Sequence, residues 1–193
     1  MLRLPSVTLI ALTGLDYQTK EHLEAIKKSQ EGIYYGAVKL IQDDNIKSLD
    51  DYSWHMLHKL TDYVETDFAL TVQADGYVTN PLMWTDEFLE YDYIGAPWPP
   101  ATHYTKNGKE VRVGNGGFTL RSKKLMNAFR DLNLEFTDNG TGYWHEDGNY
   151  CVYYRDLLEA NGIKFAPPEL AARFSTELQV PETTESFGKH KYF

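Results

Sequence analysis

The 193 residues carry a net charge of −9, with 42% apolar and 24% charged side chains, a balance that suits one folded domain with its own core and excludes a disordered chain. No Lys/Arg cluster is longer than Lys123-Lys124, which argues against a nucleic-acid binder; an acidic chain that takes a polyanionic ligand needs a metal ion or a local Arg or Lys. The single cysteine, Cys151, cannot form an internal disulfide, no run approaches the roughly 20 apolar residues of a membrane span, and Met1 to Ala11 lacks the organisation of a signal peptide, so the expectation is a cytoplasmic protein, a form matured from a longer precursor being the alternative.

Val7-Thr8-Leu9-Ile10-Ala11-Leu12 predicts a buried strand. Glu21 to Gln30, with Leu23 and Ile26 on one face, predicts a helix stopped by Gly32. A second strand is expected at Ala37 to Ile41. A second helix follows over Tyr52 to Val64, where Met56, Leu57, Leu60, Tyr63 and Val64 fall at helical spacing. Phe68 to Val72 reads as a third buried strand. This β-α-β-α-β order indicates an α/β domain with a parallel sheet, whose ligands bind at the carboxyl ends of the strands.

The second half reads differently. Tyr93 to Pro100 is stiff and aromatic, and Pro99 and Pro100 argue against regular structure there. Ala101 to Arg112 fits a loop or a hairpin. Val113 to Gly117 is a glycine-rich turn leading into a strand at Phe118 to Arg121, and Ser122 suits the N-cap of a helix through Arg130. Phe136 to Trp144 reads as loop, Glu146 to Asn161 as one helix ended by Gly162, and Pro181 to Phe193 as an irregular extended tail. Most of the 14 tyrosines, 9 phenylalanines and 4 tryptophans are expected in the core, others on a pocket wall.

Four segments can carry chemistry. Gln73-Ala74-Asp75-Gly76 follows a buried strand, so it is either a simple turn or a carboxylate facing the ligand crevice, with hard oxygens suited to Mg²⁺ or Mn²⁺; Gly76 allows close ligand approach or positive φ. Gly114-Asn115-Gly116-Gly117 is either a hairpin turn or a backbone cradle for an anion or a sugar hydroxyl. Glu146-Asp147 suits a helix start by charge alone, or supplies a general base. His190, near the end of the chain, becomes interesting only if it folds back as a metal ligand. His22, His55 and His58 sit in predicted helices and read as structural. No Ser/His/Asp order, zinc spacing or P-loop is present.

The segments Leu4-Pro5-Ser6-Val7-Thr8-Leu9-Ile10, Val72-Gln73-Ala74-Asp75-Gly76, Tyr91 to Trp98 (YDYIGAPW), Gly114 to Ser122 (GNGGFTLRS), Glu146-Asp147, Phe165-Ala166-Pro167, Phe174-Ser175 and Ser186 to His190 span the chain. Together they resemble a domain-of-unknown-function family classed as glycosyltransferases with a GT-A-like fold. The resemblance implies a single GT-A-like domain over 1–193, with a mainly parallel central sheet flanked by helices. It also implies a nucleotide-binding half over 1–90 and an acceptor and catalytic half over 91–193.

The activity it implies is sugar transfer from a nucleotide-diphosphate sugar, UDP-sugars favoured, to a carbohydrate acceptor in polysaccharide biosynthesis. Asp75 and His190 are then the ligands of a divalent Mn²⁺ or Mg²⁺. Asp147 is the base of an inverting reaction, with Glu146 second. Gln73, Asp75, Gly76, Asn115, Gly116, Gly117 and Arg121 are expected around the donor, Arg121 either offsetting phosphate charge or standing as a solvated strand end. The Asp-X-Asp metal motif of GT-A enzymes is matched only at its final position, because Gln73 stands where the first Asp would be. That departure supports the alternative of a non-catalytic carbohydrate- or nucleotide-binding relative; a hydrolase using Asp75 and Asp147 is a third reading.

Overall fold

The N-terminal apolar run forms β1 (Leu2–Thr13), in which every residue from Val7 to Thr13 is buried. Alternation explains the unbroken apolar sequence: Val7, Leu9 and Ala11 enter one core cluster, while Ile10 and Leu12 enter another on the opposite face. The computed structural model describes residues 1–14, 19–99, 105–106, 109–137, 145–177 and 185–191. Upstream of Val7 the strand is longer than expected. Its ladder to β2 (Ile33–Gln42) shifts register between Leu4 and Thr8, where Pro5 has no N–H to donate.

Between these strands, α1 (Thr19–Gln30) packs His22, Ala25, Ile26 and Ser29 inward. Gly32 closes it at φ +72°, as the sequence predicts. The next helix, α2 (Leu49–His58), starts three residues before Tyr52 because the Ser48 hydroxyl accepts the Asp51 N–H at 3.1 Å. It breaks at Lys59, and α3 (Leu60–Tyr63) completes the segment expected as one helix. β3 (Phe68–Thr71) then pairs parallel to β1 on the side away from β2.

β4 (Gly76–Val78) follows a two-residue turn, and two 3₁₀ turns (Pro81–Met83 and Asp86–Glu90) lead to β5 (Tyr93–Gly95). The expectation of irregular structure over Tyr93 to Pro100 is corrected here. Tyr93–Gly95 is a strand and Pro97 bridges Val113, because the prolines that break regularity lie beyond the strand. β6 (Thr105–Lys106) and β7 (Lys109–Glu110) form a short hairpin. β8 (Thr119–Ser122) and α4 (Lys123–Asp131) follow, with the Ser122 hydroxyl accepting the Leu125 N–H at 3.1 Å as predicted.

The single helix expected over Glu146 to Asn161 is instead three pieces: α5 (Glu146–Gly148), a π-helical turn (Asn149–Tyr153) and α6 (Arg155–Ala160). The Asn149 amide, bonded to Thr137 and to the His145 carbonyl, holds the irregular stretch, and Gly162 ends it at φ +75°. α7 (Pro168–Phe174) and β9 (Ser175–Thr176) come next. The irregular tail is also corrected: Gly188–His190 is β10, antiparallel to β4 and parallel to β9. The rest of the predicted 136–144 loop beyond Thr137, and residues 181–184 and 192–193 of the tail, lie outside the described residues.

The main sheet has the order β2-β1-β3-β8-β5, with only β8 running against the others, so it is mainly parallel. From β1 the chain goes to β2 on one side and to β3 on the other. That reversal leaves a crevice at the carboxyl ends of β1 and β3. Phe88, Phe118, Phe174 and Phe187 pack edge and face between the main sheet and the small β4-β10-β9 sheet. Among the described residues no helix is long and apolar enough to cross a membrane.

Candidate functional site

A cavity of about 600 Å³ opens at the crevice, between the ends of β1 and β3 and the start of α2. That size suits a nucleotide-scale ligand. Leu12, Gly14, Ile46, Leu49 and Tyr52 give it apolar and aromatic walls, and Gln73 and Asp75 stand at one end. His22, expected to be structural, lines it as well.

Asp75 sits at the tip of the turn between β3 and β4. Gln73 and Gly76 exchange both backbone N–H···O bonds at 3.0 Å, so Ala74 and Asp75 project beyond the ladder. The Gln73 side chain donates to the Tyr52 hydroxyl at 2.9 Å. Gly76 does not take positive φ; it is required because the Gly117 carbonyl and the His190 ring pack against its Cα.

β10 brings His190 to this point. Its Nε2 lies 3.5 Å from Asp75 Oδ1, and its Nδ1 lies 3.2 Å from Glu177 Oε1. The Lys191 N–H, donating to the Asp75 carbonyl at 2.9 Å, ties the two segments together. Burial disfavours the imidazolium, but hydrogen bonds to Asp75 and Glu177 outweigh it and push the His190 pKa up. Reciprocally, the hydrogen bond from His190 lowers the Asp75 pKa against the effect of its partial burial.

This donor set fits a hard divalent ion. Two ligands bonded at about 2.1 Å on adjacent positions of an octahedral ion lie about 3 Å apart, close to the Asp75–His190 separation. A carboxylate accepting from the other ring nitrogen is the usual second-shell support for a metal-binding histidine, and Glu177 is so placed. Among the described residues no group of three or more His, Cys, Asp and Glu side chains converges on one point; Glu177 meets the far side of the ring. An ion here would therefore take its remaining ligands from phosphate and water, as magnesium sites commonly do.

The glycine-rich turn braces the site from within. Asn115 is buried, donates to Glu177 Oε2 at 2.5 Å and accepts the Gly117 N–H at 3.0 Å. A side chain at Gly117 would collide with the His190 ring, and one at Gly116 with the Glu146 carboxylate. The close approach expected from a ligand is made here by the protein's own side chains. The Tyr93 hydroxyl donates to the carbonyls of Gly114 and Asn115, at 3.1 and 3.0 Å.

Arg121 is wholly buried, which corrects the reading of a solvated strand end. Its Nη2 lies 3.0 Å from Glu146 Oε1, its Nε donates to Thr119 Oγ1 at 2.9 Å, and the rings of Tyr93 and Tyr150 each lie 5.6 Å from its Cζ. Asp147, half-buried, accepts the Gly148 N–H at 2.7 Å and a bond from the Gly116 backbone. Burial and the neighbouring Glu146 charge push its pKa up to about 7, against the lowering effect of Gly148, Arg121 and Gly116.

Sequence reasoning singled out Asp75, His190, Glu146, Asp147 and the glycines, and folding brings them into one neighbourhood. It missed Glu177, Tyr52 and Tyr150. Glu177 has no spacing signature, and the tyrosines were indistinguishable from core aromatics.

The chain belongs to the family described as protein of unknown function DUF5672, whose sequence profile matches residues 36–190. No protein of curated function matches its sequence. Similar solved structures include a glycosyltransferase involved in the glycosylation of the major capsid of PBCV-1, at 14% identity and TM-score 0.57, covering 95% of this chain and 92% of that one. Galactosyltransferase LgtC in complex with donor and acceptor sugar analogues is similar at 14% identity and TM-score 0.53, covering 95% and 86%. At such identities the likeness establishes the fold, which is GT-A-like.

Proposed function

We propose that the protein transfers a sugar from a nucleotide-diphosphate sugar, a UDP-sugar in first place, to a hydroxyl of a carbohydrate acceptor, with inversion and with Asp147 as the base. The observation that carries this reading is the Asp75–His190 pair, 3.5 Å apart at the end of the crevice and backed by Glu177. The solved structures of similar fold, among them a galactosyltransferase with donor and acceptor analogues bound, support it.

In this reading residues 1–90 hold the nucleotide, with the base against Leu12, Ile46 and Tyr52, and residues 91–193 receive the acceptor. A divalent ion held by Asp75 and His190 would offset the charge of the departing diphosphate. Asp147 takes the proton of the acceptor hydroxyl as that oxygen bonds to the sugar C1. The C1–O bond to the diphosphate breaks, and the nucleoside diphosphate leaves with the electron pair.

Thermal shift with UDP and GDP, each with and without Mn²⁺, tests the reading. Stabilisation by a nucleotide that depends on Mn²⁺ and is lost in Asp75→Ala is expected; at 100 times the dissociation constant it amounts to about 2.7 kcal/mol. No shift with any nucleotide would remove the transferase assignment. One observation favours the alternative of a non-catalytic binding relative: Gln73, in place of a first metal-binding Asp, is engaged with Tyr52. Metal-dependent nucleotide binding with no turnover of any sugar nucleotide would select that alternative.

A further inference from the structure

A guanidinium taken wholly out of water loses several kcal/mol of hydration, and an apolar core of the same shape is commonly as stable. Arg121 nevertheless sits at zero exposure on β8, beside the rings of Tyr93 and Tyr150, which lie 6.3 Å from each other and 5.6 Å from its Cζ. Its Nε is taken by Thr119 and its Nη2 by Glu146 and the Gly116 carbonyl, 3.5 Å away, while its buried Nη1 has no hydrogen-bond partner among the described residues. Glu146 precedes Asp147 in α5, and its carboxylate fills the space that a side chain at Gly116 would need. The Gly116 backbone in turn bonds Asp147. Arg121, Gly116, Glu146 and Asp147 therefore form one closed contact.

We propose that Arg121 is the positioning residue of the acidic pair: it pins Glu146 against Gly116, so that the neighbouring Asp147 is held in a fixed direction as the carboxylate that exchanges a proton. This rests on the reading of Asp147 as the base. Among the described residues, the other titratable groups facing the pair include Tyr52 from α2, Tyr93 from β5, and Tyr150 and Cys151 from the π-helical turn. Burial pushes all four away from ionisation, so they stay neutral. Among the described residues the Arg121–Glu146 ion pair then lies beside Asp147. Its two members act on Asp147 in opposite senses: Glu146 raises its pKa and Arg121 lowers it.

Those opposite senses give a signature that a merely structural arginine would not produce. The full chain, ¹³C-labelled, is titrated by NMR, with the Asp147 carboxyl resonance identified by its loss in Asp147→Asn. Glu146→Gln is expected to move the Asp147 midpoint down by about one pH unit, and Arg121→Met to move it up. With a UDP-sugar as substrate, the acid limb of the pH–rate profile should follow each shift. Arg121→Lys keeps the charge but loses the fork; its kcat should fall about 10- to 100-fold with the UDP–Mn²⁺ dissociation constant within about threefold of wild type.

Unmoved midpoints in both charge variants would overturn the proposal. If the Arg121 variants do not fold, Glu146→Gln, which keeps the shape of the side chain, decides alone: an unmoved Asp147 midpoint overturns it. Wild-type turnover in Asp147→Asn would sink the base assignment itself and the proposal with it. An inactive Asp147→Asn beside an Arg121→Lys of unchanged kcat would reject the positioning role only.

Discussion

Glu177 Oε1 lies 3.2 Å from His190 Nδ1, and that contact decides which ring nitrogen faces Asp75. A carboxylate beside Nδ1 keeps the proton there and leaves Nε2 to a metal or, without one, to a proton shared with Asp75. Glu177 is 3% exposed and is itself gripped by Asn115, so the ring has little freedom to turn.

Glu177→Gln therefore offers the ring an amide donor where it had an acceptor, and should move the proton to Nε2. Mn²⁺ affinity in the presence of UDP is expected to fall about 10- to 100-fold, measured by titration calorimetry. An unchanged affinity would remove Glu177 from the metal site.

Gly117→Ala tests the same site by shape. Gly117 has ordinary negative φ, so the added methyl costs nothing in backbone conformation; it simply meets the His190 ring. A loss of about 1–3 kcal/mol of stability is expected, together with loss of Mn²⁺-dependent stabilisation by UDP. A variant that melts lower but keeps full Mn²⁺ dependence would show that the ring can move aside without leaving Asp75.

Asp147 links the reaction to stability. Its folded pKa of about 7 lies above its unfolded value, so the folded state binds the extra proton between the two values. Stability contributed by the protonated carboxyl is thus lost as pH rises through that window. Asp147→Asn should melt above the wild type at pH 8, the gap should be smaller at pH 5, and turnover should be abolished. A gap that does not change with pH would show that the carboxyl titrates normally.

Tyr52→Phe removes the acceptor of the Gln73 amide without opening a cavity. About 1 kcal/mol is at stake, or roughly a fivefold weaker binding of UDP by calorimetry, if Gln73 must be held back to keep the crevice open. Equal affinity would mean that water replaces the hydroxyl.

Local physics made much of the fold legible. The apolar run Val7 to Leu12 needed burial on both faces and became an interior strand of the sheet, between β2 and β3. Gly32 and Gly162 end their helices in the left-handed region, and Ser122 caps α4 through its own hydroxyl, because such interactions are made within a few residues. The break in the helix after Gly148 was not legible, since Asn149 is held by Thr137, twelve residues away. Nor was β10: Gly188, Lys189 and His190 have no strand signal of their own and extend only because β4 and β9 lie on either side.

Sequence by itself determined the β-α-β-α-β order of the first half, the projecting Asp75, the acidic pair and the glycines that leave room around them. These depend on side-chain type and on contacts between near neighbours. Only the tertiary structure decided that His190 meets Asp75, that Glu177 stands behind it, and that Arg121 is spent on Glu146 rather than exposed. Each of those contacts joins residues 13 to 115 positions apart, and an ion pair between distant residues leaves no periodicity in either segment.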